Sequence, residues 1–162
     1  MSRIVLVVSL LVAIAVFLAT SAGLPATVAT HFASGGRANG FMTRVGYQVF
    51  YCALMTLMAA VTYGSFAWLP KHFPRTLNLP HRDYWLEPRR LHATMATLRK
   101  FGAAMGVLVI TLLIAIHLLV IDAHGRTPPT LHEPTMFAVL GAFLALMVAL
   151  LVAFYMRFRT RS

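Results

Sequence analysis

Residues 101–121 read FGAAMGVLVITLLIAIHLLVI, a run without Lys, Arg, Asp or Glu. A helix needs about 20 apolar residues to cross the hydrocarbon core of a bilayer, and this run has that length. Three more runs read the same way: Ile4 to Ala22, Gly46 to Leu69 and Thr135 to Met156. Lipid offers backbone groups no partner, so each run has to be a helix that bonds its own amides. The expected fold is all-α, an integral membrane four-helix bundle forming one domain over 1–162, with spans at about 4–22, 46–69, 101–121 and 135–156.

Composition agrees. Hydrophobic residues make up 59% of the chain and charged ones 11%, against about a quarter charged in soluble domains. The net charge of +10 would raise nucleic acid as a partner in a soluble protein. Here the cations fall between and after the apolar runs, so they read as topology signals, and no nucleic-acid partner is expected. The single cysteine, Cys52, lies within an apolar run and rules out an internal disulfide or a cysteine metal motif. The first run, with Arg3 before it and Thr20-Ser21-Ala22 at its end, also fits a signal peptide. Signal h-regions reach about 15 residues, and this stretch is longer, so an uncleaved anchor is expected.

Orientation follows from Lys and Arg. Arg3, Lys71, Arg75, Arg82, Arg89, Arg90, Arg99, Lys100, Arg157, Arg159 and Arg161 fall on one side, and Arg37, Arg44 and Arg126 on the other. The excess puts both termini and the 70–100 loop inside, with outer loops at 24–42 and 122–134. Trp68, Trp85 and Tyr155 then fall near the inner interface, where amphipathic rings are favoured. The outer loop has Pro25 to end the first helix, and Gly35-Gly36 and Asn39-Gly40 as turn formers. In the inner loop, Pro88 suits a helix start, with Leu91, Met95, Leu98 and Gly102 on one apolar stripe. This amphipathic inner-loop helix either lies at the interface or continues into the third span, with Gly102 as the natural bend.

Small residues recur at helix-packing spacing: Gly102 with Gly106, and Gly141, Ala145, Ala149 and Ala153. In lipid such residues let backbones approach closely.

Two loop patterns are familiar together. Leu24-Pro25, His31-Phe32, Gly35-Gly36 and Asn39-Gly40 follow the first span, and Asn78-Leu79-Pro80-His81-Arg82-Asp83-Tyr84-Trp85-Leu86-Glu87-Pro88-Arg89-Arg90 follows the second. The combination resembles a membrane domain of unknown function that forms the amino-terminal part of SdpI-type toxin-immunity proteins. The resemblance covers roughly the first hundred residues. It implies a bacterial protein that protects its cell from a secreted peptide toxin and recruits a cytoplasmic repressor. The present chain has four spans where that family has six, and no binding residue is carried over.

Two polar groups stand out as candidate sites. His117 lies about 6 Å inside the outer end of its span, with His124 two turns on and Asp122, His132, Glu133 and His31 on the same rim. Histidine with carboxylates suits zinc or copper, or a pH-sensitive outer surface. The plainer reading is an interfacial histidine bonded to a neighbouring helix, and no HExxH or HxxxH spacing is present. The second group is the inner loop, with Asn78, Arg82, Asp83, Tyr84, Trp85, Glu87, Arg89 and Arg90 as a docking surface. Its carboxylates sit among arginines, which favours salt bridges over acid–base chemistry.

No phosphate loop, nucleophile elbow or CxxCH is present, so neither an enzyme nor a cofactor is expected. The expected function is binding, of an immunity or signalling type, within a bacterial inner membrane. The expected partners are the lipid bilayer and a protein, either a membrane complex or a cytoplasmic regulator, with homo-oligomerisation open. The rivals are an accessory subunit packed against a larger membrane complex and a sensor or carrier for a metal ion or proton.

Overall fold

The computed structural model describes residues 2–74 and 77–159, so Arg75 and Arg161 of the cations above lie outside the described residues. Helix α1 is Ser2–Ser21, followed by strands β1 (Thr27–Phe32) and β2 (Ala38–Thr43) and helix α2 (Arg44–Ala67). Two short turns of helix, α3 (Leu69–His72) and α4 (Arg82–Trp85), precede α5 (Pro88–His124) and α6 (Glu133–Arg159). Four helical stretches, Ser2–Ser21, Arg44–His72, Pro88–His124 and Glu133–Arg159, are long and apolar enough to cross a membrane. The fold is that of a multi-pass membrane protein.

Helix α5 is the hub, with α1 and α2 packed on it and on each other, and α6 packed chiefly on α5. Two glycines let α2 and α1 come close. A Cβ at Gly102 would lie 2.7 Å from the Phe66 Cβ, and one at Gly106 2.7 Å from the Leu6 Cδ1. Gly102 is therefore a packing position, and α5 runs through it as one unbroken helix. At 37 residues, α5 is about 55 Å long, well beyond the ~30 Å hydrocarbon core. The amphipathic inner segment is thus its first turns, standing out from the span.

The 24–42 segment, expected as an outer loop, holds an antiparallel hairpin, so the chain is not purely helical. Thr27, Val28, Thr30, Phe32, Phe41 and Thr43 favour strands. The turn is at Gly35 and Gly36, with φ of 80° and 73°. Asn39-Gly40, expected as a second turn, lies inside β2. Gly40 is needed there because a Cβ would meet the His31 Cβ at 2.9 Å. Helix α2 starts directly from β2, with the Thr43 hydroxyl accepting from the Gly46 amide at 3.1 Å.

The small-residue stripe of α6 faces away from the rest of the chain. Leu140, Phe143, Met147, Leu150 and Phe154 are half-buried toward the bundle, whereas Gly141, Ala145, Ala149 and Ala153 are exposed. At 100° per residue the two sets lie on opposite sides of the helix.

Candidate functional site

The hairpin end of the bundle is built from the hairpin, the tops of α5 and α6, and the segment between them. Several bonds hold the hairpin in place. The Ala29 amide donates to His124 Nε2 at 3.0 Å, and His124 Nδ1 lies 2.8 Å from the Val120 carbonyl. A ring that accepts at Nε2 and faces a carbonyl at Nδ1 carries its one hydrogen on Nδ1. The Gly35 amide donates to Glu133 Oε1 at 2.8 Å, and the Leu131 amide to the Gly36 carbonyl at 2.8 Å. Arg44 ties the base, donating to the carbonyls of Ala22 at 2.9 Å and Leu24 at 2.7 Å.

Two cavities open beside this cap. One of about 290 Å³ lies between hairpin and helices and is lined by His31, Phe32, Leu119, Leu131 and Met136, among others. The second, of about 420 Å³, lies between α5 and α6, with Leu119, Asp122, Arg126, His132 and Thr135 in its wall. They share Leu119. Asp122 and Arg126 form an ion pair at 2.7 Å, and His132 Nδ1 meets the Thr135 hydroxyl at 2.7 Å. The arrangement offers an apolar slot next to a charged one, on a surface pinned from three sides. It has the mixed character that suits binding of a peptide or small molecule.

His117 lies below this rim and faces inward, fully buried. Its Nε2 is 2.9 Å from the Thr20 hydroxyl and its Nδ1 is 2.9 Å from the Tyr47 hydroxyl. The Thr20 hydroxyl donates to the Val16 carbonyl at 2.7 Å. Its only hydrogen is then used, so His117 donates from Nε2 and accepts from Tyr47. Phe17 closes the site edge-on at 4.6 Å between ring centroids and stacks on Tyr51 at 4.8 Å. Tyr51 donates to the Leu113 carbonyl at 2.6 Å, and Gln48 to the Ser21 hydroxyl at 2.9 Å. The result is a three-helix polar knot with every buried side-chain polar atom among the described residues satisfied.

At the basic end, the residues of the inner loop divide. Trp85 is buried with Leu79, Leu98 and Phe158, its Nε1 donating to the Phe158 carbonyl at 3.0 Å. Thr94 donates to the Trp85 carbonyl at 2.8 Å. Trp85 therefore fastens loop, α5 and the end of α6 together, and offers little surface to a partner. Tyr84 lies under the Arg90 guanidinium, 3.9 Å from ring centroid. Asn78, Asp83 and Arg89 are exposed. Arg82 pairs with Asp83 at 3.5 Å, while Glu87 receives Arg89 at 3.0 Å and also Arg90. The Arg89 hydrogen bond is the main force holding the Glu87 carboxyl below its ordinary range.

The structure thus separates the six rim residues. His31 lines one cavity, Asp122 and His132 line the other, and His124 and Glu133 are spent on pinning the hairpin. His117 and His124 share a helix face in sequence, yet each binds its own set of partners. Neither keeps a lone pair for a metal, and no three His, Cys, Asp or Glu among the described residues are placed to hold one. Tyr47, Tyr51, Thr20 and Gln48 were missed by sequence reasoning. The available signal was depth, since Thr20-Ser21, Tyr47-Gln48 and His117 all lie near the same end of their runs. Compared with family models, with curated proteins and with solved structures, the chain matches none.

Proposed function

We propose that the protein is a non-enzymatic recognition protein of a bacterial inner membrane, of an immunity or signalling type, which receives its ligand at the hairpin end. In this reading the basic end and both termini are cytoplasmic and the hairpin faces outward, following the positive-inside rule. The observation that carries it is the pinned hairpin beside two cavities that share Leu119 in their walls. A preorganised cap of this kind binds without the cost of ordering a loop. Its exposed residues include His31, Arg37, Asn39 and Phe41.

A second reading, an accessory subunit, has its own support. The exposed stripe Gly141, Ala145, Ala149 and Ala153 is suited to close contact with a helix of another chain.

One experiment separates them. A photo-crosslinking residue is placed at Phe41 in one variant and at Ala145 in another, and both are irradiated in cells. A discrete adduct from Phe41 favours recognition at the hairpin end, and one from Ala145 alone favours the subunit. Lipid adducts only, at both positions, would overturn both. Reporter fusions test orientation: a periplasm-active reporter within 33–40 should be active and one after Ser162 silent.

A further inference from the structure

A furrow follows the seam of the parallel helices α1 and α5 on the lipid-facing side. At the basic end it is a cavity of about 540 Å³ lined by Val5, Lys100, Ala104 and Val107, among others. It continues as one of about 300 Å³ lined by Val12, Val16, Val107 and Ile114, among others. Val107 lines both, so the two follow one another along the furrow. From Lys100 to Ile114 the helix rises about 21 Å. That exceeds the ~15 Å depth of one leaflet's hydrocarbon, half of the ~30 Å core. Alanines at 103 and 104 keep the floor low.

Among the described residues, no carboxylate pairs with the cation at the head of the furrow. The sequence has four carboxylates, Asp83, Glu87, Asp122 and Glu133. Asp83 pairs with Arg82, Glu87 with Arg89 and Arg90, and Asp122 with Arg126, while Glu133 accepts from the Gly35 amide. Lys100 is exposed, and among the described residues it pairs with no carboxylate. Arg99 is its neighbour in sequence, and Arg3 follows Ser2, which also lines the cavity.

From the apolar channel and the cation at its mouth, we infer that the α1–α5 furrow seats one acyl chain of an anionic phospholipid whose phosphate rests on Lys100. This site is at the opposite end from the hairpin and stands or falls independently of recognition there. A zwitterionic lipid fills the channel equally well but brings its own cation to Lys100, so the site discriminates by headgroup.

The test is native mass spectrometry of the full-length protein in detergent, titrated with phosphatidylglycerol or with phosphatidylcholine of the same chains. Wild type should retain phosphatidylglycerol in preference. Lys100→Gln should weaken that binding about fivefold, the ratio for the ~1 kcal/mol a cation contributes near an anionic surface, and Lys100→Arg should preserve it. Ala104→Phe, at an exposed position, should fill the channel and reduce retention of both lipids. Equal retention of the two lipids by wild type would overturn the proposal. So would a Lys100→Gln variant that binds as wild type does, or displacement of the lipid by inorganic phosphate in Ala104→Phe and wild type alike, which would mark a bare phosphate site.

Discussion

His117 Nδ1 lies 2.9 Å from the Tyr47 hydroxyl, and this bond joins α5 to α2 inside the span. Tyr47→Phe keeps the ring and removes the donor, leaving a fully buried acceptor without its partner. Interhelical bonds in lipid average about 0.6 kcal/mol and reach about 1.7. The orphaned acceptor puts this loss at the upper end. Thermal unfolding in detergent measures it. In a cycle with Thr20→Val the two losses should be non-additive, since both partners hold one ring.

The two turn glycines should respond very differently. Gly35 has positive φ but open space around the missing Cβ, so Gly35→Ala should cost only the left-handed strain, about 1–2 kcal/mol. At Gly36 the Cβ would run into the Leu131 carbonyl as well. Gly36→Ala should therefore undock the hairpin, read as faster hydrogen exchange at the Leu131 amide. Equal stabilities for the two variants would contradict the docking described here.

Hairpin docking should depend on the His124 ring. Its Nε2 accepts from the Ala29 amide and its Nδ1 faces the Val120 carbonyl. His124→Phe, which offers no acceptor, should speed hydrogen exchange at the Ala29 amide, whereas His124→Gln, which can both accept and donate, should retain part of the protection. Equal exchange in wild type and His124→Phe would contradict this pin.

Glu87 makes the other end of the bundle sensitive to acid. Its folded carboxyl is held below the ordinary range, first by Arg89. Its contribution is therefore complete above the ordinary carboxylate pKa and is lost as pH falls through the lowered folded value. Glu87→Gln should remove that acid-dependent loosening at the start of α5, detected by hydrogen exchange at Arg90 and Leu91. A wild-type start of α5 that is indifferent to acid would contradict it.

Span number and position were legible because lipid imposes length and apolarity on each segment separately. The expected span 101–121 sits inside α5 and 135–156 inside α6. What escaped reading were relations between distant segments. The β-branched and aromatic residues of Thr27–Phe32 favour a strand without fixing one, since its pairing depends on Ala38–Thr43 and its position on His124. Trp85 looked like an interfacial ring because its partner, the Phe158 carbonyl, comes 73 residues later. His117 drew notice as a lone ionisable group, but its meaning lay in two hydroxyls on other helices. The stripe on α6 was visible as spacing, while its outward direction required the bundle.

The bond between Thr20 and His117 spans 97 residues. At about 5–20 residues per second of synthesis, roughly 5–20 s separate the two ends of that bond on the ribosome. The first helix therefore enters the bilayer well before its histidine partner exists. Thr20 bridges the interval with its own backbone, through the Val16 carbonyl. Both ring nitrogens of His117 are met by hydroxyls of other helices, so it arrives last and needs both of them at its depth. Assembly is thus ordered by chain direction: α1 and α2 form the receptacle, and α5 is the piece that locks into it.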